Sequence, residues 1–385
     1  MTQGPDPDAR DGALLAGLAA PQSGAPSLSY GQLVWRRFLR NRLGVLGGVG
    51  VILLVLVTVF ADFLSPYDPT LRGSGDNINN PPQMLRLVRP DGSFSLHPFV
   101  HPTISDFDTE TFEITQGPDR TVVCELRFLA RGWSYSFLGM EFDRHLFLPA
   151  EGCEANLLGT DSLGRDILSR MLRGAQPTLA MAGLVVLSIV VIGTTVGVIS
   201  GYVGGRVDMV IQRVAEFTLS LPDLPLYLAI AAILPRTTDP TTSFIILALV
   251  LSALRWAQLA REVRAKTLSI STLDYVQAAE SLGASRMRIV FVHIMPNVMS
   301  HVIIVTSIMI PTIILVESFL SFLGLGIKPP LVSWGLMLND AQNFQAIGSY
   351  PWLLAPVFMI LIAVLAFNAL GDGLRDAVDP YAKLN

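Results

Sequence analysis

The chain has 385 residues, of which 51% are hydrophobic and 15% are charged, and its mean hydropathy is +0.51. This composition is more apolar than that of a soluble globular domain, so it predicts an integral membrane protein. The net charge of −4 provides no basic surface for nucleic acid, which is therefore not an expected partner.

The N-terminal region, residues 1–42, is predicted to be a cytoplasmic tail. Its first 30 residues are rich in Gly, Pro, Ala, Ser and Asp and lack apolar periodicity, which is typical of a flexible segment. A cleaved signal peptide over residues 36–64 is the alternative. However, the apolar run is too long for a signal peptide, and no small-x-small cleavage site closes it. We therefore expect an uncleaved first span over residues 43–64.

Six segments are apolar enough to cross a membrane as helices. A spanning helix needs about 20 apolar residues, because the hydrocarbon core is about 30 Å thick and each helical residue rises about 1.5 Å. The C-terminal end of the fourth segment is not fixed by the pattern. The third contains SLPDLP, which predicts a kinked or partly unwound helix, because proline breaks the backbone hydrogen-bond ladder. The six predicted spans cover residues 43–64, 177–201, 215–234, 244–259, 298–323 and 350–370.

Positive charges beside the spans predict the orientation, since cytoplasmic flanks are enriched in Lys and Arg. With six crossings, both termini fall inside. Three arginines before the second span fall outside, but they end a long loop, and long loops cross the membrane largely regardless of charge. The inside charges are Arg36, Arg37, Arg40, Arg42, Arg206, Arg213, Arg261, Arg264, Lys266, Arg286, Arg288, Arg375 and Lys383, and the outside arginines are Arg165, Arg170 and Arg173.

Residues 66–156, between the first two spans, form a predicted extracytoplasmic insert. Segments such as TVVCELRFLA and WSYSFLGMEFDRHLFL mix aromatic, β-branched and polar residues, as short strands do. A long irregular loop is the alternative, although such a loop without its own structure is uncommon. Both cysteines of the chain, Cys124 and Cys153, lie in this insert. They can pair in an oxidising compartment, or they can be two buried apolar thiols, and the sequence leaves both open.

The sequence offers little for catalysis or metal binding. His97, His101 and His145 could be arranged around a metal, but no Cys or acidic ligand set accompanies them, so we expect surface loop histidines. No phosphate-binding loop, nucleophile elbow or His-Glu-x-x-His motif occurs. We predict that the chain is not an enzyme and holds no cofactor, so that any ATP it uses is bound by another chain.

A polar stretch, DYVQAAESLGASRMRIVFVHIMPN, interrupts the apolar sequence at residues 274–297. Asp274 can cap the start of a short helix, and Gln277 fits the last position of a capping box. Gly283 provides a left-handed stop. These signals predict a self-contained helix of about two turns between the fourth and fifth spans.

The faces of this short helix indicate a contact surface. Val276, Ala279 and Leu282 share one face, and the small Ala278 and Ala279 permit close approach by a partner. Pro296 is predicted to interrupt the continuation into the fifth span. A rigid element of this kind can transmit the movement of a soluble partner to the spans. A merely structural cytoplasmic loop is the alternative.

The same stretch resembles the EAA loop of ABC importer permeases, whose pattern is Glu-Ala-Ala, three residues, Gly, and Pro thirteen residues later. Ala278, Ala279, Gly283 and Pro296 match, whereas Gln277 replaces the Glu and removes a charge. Further motifs resemble the oligopeptide/dipeptide/nickel permease family, specifically its C-type subunit, and the long insert resembles the branch that includes permeases for microcin C. These motifs, within residues 36–380, are WRRFLRNRLGVLGG, SPYDP, LLGTDSLGRDILSRMLRGA, ESFLSFLGLGIKPPLVSWGLML and GDGLRDAVDP.

The resemblance implies an all-α integral membrane protein of the type I ABC importer permease kind, in the bacterial inner membrane. It would have six transmembrane helices and a small β-rich extracytoplasmic insert. Residues 157–385 would form the permease core, with residues 274–296 coupling it to an ATPase. The chain would line half of a path for peptides or peptide-like solutes. Its partners would be a second permease subunit, two cytoplasmic ATPases that bind the ATP, and an extracytoplasmic solute-binding protein.

Polar residues in the spans are candidates for the substrate path, because burying a polar group in lipid without a partner costs several kcal/mol. Glu317, Glu216 and Asp223 are these candidates, although Glu317 can equally support the segment SFLGLG by a helix–helix hydrogen bond. The rival function is an ATP-independent channel or ion-coupled carrier, which predicts internal repeats and paired mid-membrane charges. No repeat is found, and the acidic residues lie near the span ends, which favours the importer.

Overall fold

The computed structural model describes residues 30–72, 77–89, 92–107, 114–233, 239–342 and 348–378, and it is largely helical. Most of the predicted tail, residues 1–29, and Lys383 lie outside the described residues. The helices in chain order are α1 (Tyr30–Arg40), α2 (Arg42–Val59), α3 (Ala61–Leu64), α4 (Ile167–Val203), α5 (Gly205–Ser220), α6 (Asp223–Ile233), α7 (Pro240–Ser271), α8 (Asp274–Ser281), α9 (Arg286–Arg288), α10 (Met295–Phe322), α11 (Trp334–Asn339) and α12 (Ala355–Val378).

In the described part of the chain, five helices are long and apolar enough to cross a membrane, and the bent pair α5–α6 makes a sixth if it is counted as one span. The two halves of this pair meet at 80°. Leu221, at the bend, is extended with ψ 131°, because the residue before a proline is forced away from the helical conformation. The break therefore lies at SLPDLP, where the sequence predicts it.

The long helices extend beyond the apolar runs that predicted them. The second span does not begin at residue 177, because α4 starts at Ile167 and passes through Pro177. The fourth span is not confined to residues 244–259, because α7 continues to Ser271. Both helices begin at an aspartate cap. Asp166 accepts the Ser169 amide at 2.7 Å, and Asp239 accepts the Thr242 amide at 3.1 Å.

Glycines bring the membrane helices into close contact. On α4, a Cβ added to Gly193 would lie 3.1 Å from the Cβ of Leu259, and one added to Gly201 would lie 2.8 Å from the Cβ of Thr267 on α7. Where α2 crosses α12, a Cβ on Gly44 would lie 2.7 Å from the Cα of Gly373. Small residues permit such approach, and the packing gained holds helices together in lipid.

The segment between α3 and α4 carries antiparallel strands. In its described residues, β1, β2, β5 and β8 form a four-stranded sheet in that order, while β3–β4 and β6–β7 are separate hairpins. Buried Val100, Leu126 and Ala155 form a small apolar core, beside which Cys124 and Cys153 are joined in a disulfide. The strands are β1 (Arg86–Val88), β2 (Phe94–Val100), β3 (Thr103–Phe107), β4 (Ile114–Pro118), β5 (Cys124–Phe128), β6 (Arg131–Phe137), β7 (Met140–Arg144) and β8 (Phe147–Pro149).

Two histidines that were expected on the surface are buried in this segment. His101 is 5% exposed, and its Nδ1 lies 2.8 Å from the Val122 carbonyl oxygen. His145 is fully buried, with its ring nitrogens 2.9 Å from the carbonyl oxygens of Asp62 and Trp133. The expectation of surface histidines is wrong for these two, because their rings lie inside the fold within hydrogen-bond distance of backbone carbonyls. His145 also connects the strands to the end of the first span.

We expect the disulfide to stabilise the strand segment without supporting the spans. The two cysteines are 29 residues apart, and closing a loop of that length is worth about 3–4 kcal/mol on the loop-entropy model. The double variant Cys124→Ala/Cys153→Ala should therefore release fragments from the segment at lower protease concentration, while its abundance in the membrane stays that of the parent. Equal protease resistance of parent and variant would contradict this expectation.

Candidate functional site

A short helix, α8, connects the long helices α7 and α10 at one end of the core. It ends in a Schellman motif, in which the Gly283 amide donates to the Glu280 carbonyl at 2.9 Å and the Ala284 amide donates to the Ala279 carbonyl at 3.1 Å. Gly283 has a φ of +80°, a conformation that residues with a Cβ rarely adopt. The left-handed stop expected at Gly283 is therefore present.

The start of α8 differs from the predicted capping box. Leu273 is the N-cap and Asp274 is already helical, so no side chain caps this end. Gln277 lies one position too late for a box, and its side-chain amide donates to the Thr272 carbonyl at 3.3 Å instead. The reason is that α7 runs to Ser271, which leaves only two residues for the turn. Asp274 still places negative charge in the first turn, where the helix dipole favours it.

Only one side of α8 packs against the core. Val276 is 2% exposed, whereas Leu282 is 88% exposed, although the sequence predicts both on one face. Leu282 is the C-cap, where the backbone has already left the helix. Ala278 is exposed, and Ala279 is half-buried. The helix therefore presents small residues and one protruding leucine at its outer surface.

Polar contacts connect α8 to the start of α10. The side-chain amide of Asn297 donates to the Tyr275 hydroxyl at 3.2 Å and to the His293 carbonyl at 2.8 Å. The rings of Tyr275 and His293 are 6.2 Å apart. Because α10 is a long membrane helix, these contacts connect α8 mechanically to the core, and a displacement of α8 would move the start of α10.

The segment between α9 and α10 is helical, which corrects the prediction that Pro296 interrupts it. Residues Ile289–Ile294 form a π-helix, and the Met295 amide donates to the Val290 carbonyl five residues back. Pro296 then falls in the first turn of α10, where its missing N–H is tolerated. The wide π turn therefore allows one continuous helix from α9 to Phe322.

An ion pair close to the same end of the core joins α5 to α7. Arg264 donates from two nitrogens to the two carboxylate oxygens of Asp208, both at 2.6 Å. Ser200, near the end of α4, donates to the same carboxylate at 2.5 Å. Three helices thus meet at Asp208. The sequence identified Arg264 only as a flanking charge, because partners 56 residues apart leave no local pattern.

Glu317, a candidate path residue, is fully enclosed by the helix packing. Ser321 donates to its carboxylate at 2.7 Å, and the Ile327 amide donates to the Ser321 hydroxyl at 3.0 Å. A Cβ on Gly326 would lie 2.6 Å from the Cα of Ser321, so the turn after α10 folds tightly over this carboxylate. The geometry favours the structural interpretation, in which Glu317 supports the segment SFLGLG.

The other two path candidates lie on the bent pair and have different partners. Asp223 is 2.9 Å from Arg255 on α7, and the Arg255 Nε is 3.4 Å from the Tyr227 hydroxyl. Glu216 pairs with Arg213 on its own helix at 3.1 Å, and both side chains are exposed. Of these two, only Asp223 is held against a second helix.

A further polar contact joins two long helices and was not predicted from the sequence. The Nε2 of His301 on α10 lies 3.3 Å from the Oε2 of Glu262 on α7. His301 lies within the predicted fifth span, which begins at residue 298, but the predicted fourth span ends at residue 259 and therefore excludes Glu262. A charged residue that continues the helical register beyond an apolar run is the signal that could have identified Glu262.

Comparisons with known proteins agree with this architecture. Residues 193–383 match the family described as the binding-protein-dependent transport system inner membrane component, and residues 29–82 match the N-terminal transmembrane domain of oligopeptide transport permease C. The dipeptide transport system permease protein DppC of Bacillus subtilis is 32% identical over 355 residues, which cover 92% of this chain and 87% of the relative. The chain belongs to this permease family.

Two further relatives support the assignment. The glutathione transport system permease protein GsiD of Pectobacterium atrosepticum is 32% identical over 91% of the permease and 90% of the relative. The oligopeptide transport system permease protein OppC of Haemophilus influenzae is 37% identical over 64% of the permease and 78% of the relative. The permease is thus a transmembrane subunit of an ABC importer and a multi-pass inner-membrane protein. Among its described residues, no group of three or more His, Cys, Asp or Glu could hold a metal ion.

An ion cluster holds the opposite end of the permease core. Asp161 accepts hydrogen bonds from Arg170 and, at 2.8 Å, from the Nε of Arg165. Asp340, at the end of α11, lies 3.3 Å from Arg170 and 3.4 Å from Arg165. Asp161 and Arg170 are only 1% and 2% exposed. The cluster joins the loop before α4 to α4 itself and to α11.

Asp166 and Arg173 add to the charges at this end. Burial raises the pKa of the Asp166 carboxyl to about 6, although hydrogen bonds from the Ser169 amide and hydroxyl lower it. The N-terminus of α4 also favours the charged form of this carboxylate. Arg173 pairs with Asp62. Each of the three arginines before the second span thus has a carboxylate partner.

Proposed function

We propose that the permease imports peptides or peptide-like solutes as half of a translocation path. The relatives named for dipeptide, oligopeptide and glutathione transport support this cargo class. The proposed assembly contains a second permease subunit, two cytoplasmic ATPases and an extracytoplasmic solute-binding protein, with ATP bound by the ATPases. Membership of the long-loop branch stays a prediction from the insert. The alternative, an ATP-independent channel or ion-coupled carrier, has no support from these relatives.

The proposed contact for the ATPase is α8 with its Schellman stop, within residues 274–296. The observation that carries this assignment is the combination of an exposed outer surface with the Tyr275–Asn297 contact to α10. Small residues at Ala278 and Ala279 leave room for a partner, and the exposed Leu282 provides an apolar contact. Movement of the ATPase would displace α8 and, through Asn297, the start of α10.

An uptake assay tests the proposed function. The permease would be expressed with its proposed partners, a second permease, ATPases and a binding protein, and accumulation of labelled dipeptide, tripeptide and glutathione would be measured. We expect uptake of at least one of them, and we expect it to stop when the ATPases carry an inactivating substitution. Uptake that persists with inactive ATPases would instead support the channel or carrier.

The proposed orientation places both termini in the cytoplasm and residues 66–156 outside. Arg165, Arg170 and Arg173 lie outside in this orientation, which their position at the end of a long loop permits, because long loops cross the membrane largely regardless of charge. The proposed divisions are a tail over residues 1–42, a first span over residues 43–64, the insert, and a core over residues 157–385. In this orientation α8 faces the cytoplasm.

Thiol labelling should report this orientation. After reduction, an impermeant maleimide should reach Cys153, which is half-buried, in cells whose outer membrane alone is permeabilised. A cysteine introduced at Leu282, which is 88% exposed, should react only after the inner membrane is lysed. The reverse order of labelling at these two positions would overturn the proposed orientation.

A further inference from the structure

The β6–β7 hairpin is an amphipathic ribbon with an apolar tip. Tyr135 is paired with Phe142 and Phe137 with Met140, so these side chains share one face, while Ser136 and Glu141 lie on the other. The ribbon belongs to none of the other sheets of the described residues. A two-stranded ribbon is marginally stable alone in water, so its apolar face needs a covering surface.

The turn of the hairpin is unusual for one in water. Leu138 and Gly139 have φ values of +51° and +81°, which is the backbone of a turn that favours Asn, Asp or Gly at both positions. A leucine nevertheless occupies the first position, and it is 84% exposed. Next to it, Met140 is 59% exposed. The backbone conformation and the contact with water are thus both unfavourable for Leu138, and the contact with water is unfavourable for Met140.

The contacts of the hairpin with the first span show where its tip points. At the base, His145 lies 2.9 Å from the Asp62 carbonyl oxygen. At the tip, the ring of Phe137 stacks on that of Phe60, with the centroids 5.8 Å apart. Phe60 is closer than Asp62 to the helix α2, which ends at Val59. The hairpin therefore runs along the end of α2 with its tip on the membrane side of its base.

The apolar tip is continuous with the exposed apolar surface of α2. A cavity of about 330 Å³ lies between the hairpin and the helix end, and its lining is aromatic and apolar apart from Asp62 and Arg144. Tyr and Arg side chains at the end of a span act as anchors at the bilayer interface, and Tyr135 and Arg144 both line this cavity. The exposed apolar side chains of α2 that lead up to this cavity are Val49, Ile52, Leu53, Val55, Leu56 and Val59.

We propose that the β6–β7 hairpin inserts its tip into the phospholipid interface beside α2. Leu138 and Met140 would enter the acyl region, and Phe137, Phe142 and Phe60 would lie at the headgroup level. The polar face, with Ser136, would remain in water. This anchor would hold the strand segment against the membrane independently of the transported solute, so it goes beyond the proposed import function.

Spin labelling of the full chain in lipid vesicles tests this proposal. A single cysteine would be introduced at Leu138, and the matched control would carry it at Ser136 on the polar face. The native cysteines are joined in a disulfide and do not compete for the label. Collision rates of each label with oxygen, which partitions into lipid, and with a water-soluble nickel chelate would be measured. We expect the ratio of oxygen to nickel collisions to be several-fold higher at position 138.

The other outcomes each overturn the proposal. Equal nickel access at both positions would place the tip in water. Shielding of position 138 from both reagents would mean that a surface of the protein itself, and not lipid, covers the tip. If Leu138→Cys fails to fold, Met140→Cys carries the same comparison, since Met140 lies on the same exposed tip.

Discussion

Replacing Ala279 by Asp should abolish solute uptake while leaving the permease in the membrane. Ala279 is half-buried on α8, at the surface proposed to contact the ATPase. A carboxylate placed there would be buried without a partner in the assembled transporter, which costs a few kcal/mol. Since about 1.4 kcal/mol is a factor of ten in affinity, we expect at least a tenfold weaker association with the ATPase. Co-purification of the ATPase, substrate-stimulated ATP hydrolysis and uptake should fall together.

A second substitution in the same element provides matched controls. A Cβ on Gly283 meets no atom within 4 Å, so a substitution there acts through the backbone alone. Gly283→Val should strain the left-handed stop by about 1–2 kcal/mol, whereas Gly283→Asn should be tolerated, because Asn adopts this conformation more readily. Loss of uptake with Val but not with Asn is the expected result. Normal uptake with both Ala279→Asp and Gly283→Val would mean that α8 is an ordinary loop.

The sequence predicted those parts of the fold that have a local physical signal. Apolar runs identify spans because the bilayer sets their length, and SLPDLP predicts a bend because Pro222 restricts Leu221. Gly283 was recognisable because few other residues adopt its φ. Helix ends were less predictable. Polar residues continued α4 and α7 past the apolar runs, and the extended α7 removed the predicted cap from Asp274.

Side-chain contacts over long distances in the sequence could not be predicted in this way. Asp208 and Arg264 form a bidentate pair, yet neither residue lies in a pattern that names the other. The burial of His145 depends on carbonyl groups from two different segments. Glu317 is a similar case, because its polarity within an apolar helix suggested a path, whereas its partners enclose it. A single sequence gives the cost of burying such groups but not their partners.

Removing the carboxylate of Asp161 should destabilise the permease more than any surface substitution. Asp161 is 1% exposed, and besides Arg170 and Arg165 it accepts the backbone amides of Leu163 at 2.8 Å and Arg165 at 3.0 Å. Among the described residues, Asp161→Ala would leave the buried guanidinium of Arg170 with only the more distant Asp340 as a carboxylate partner. Breaking a buried ion pair from one side costs about 3–5 kcal/mol. We expect low membrane abundance and a lower unfolding temperature in detergent.

The exposed pair Arg131–Asp143, at 3.7 Å, supplies the control for this experiment. Asp143→Ala should change stability by no more than about 1 kcal/mol, because exposed pairs are screened by water. The double variant Asp161→Asn/Arg170→Met should be more stable than Asp161→Ala, since it removes both buried charges, and the asparagine oxygen can still accept the two amides. If Asp161→Ala unfolds at the same temperature as Asp143→Ala, the cluster is not what holds α4 against α11. A double variant no better than Asp161→Ala would mean that the loss comes neither from the uncompensated charge of Arg170 nor from the two backbone amides, since the double variant relieves both.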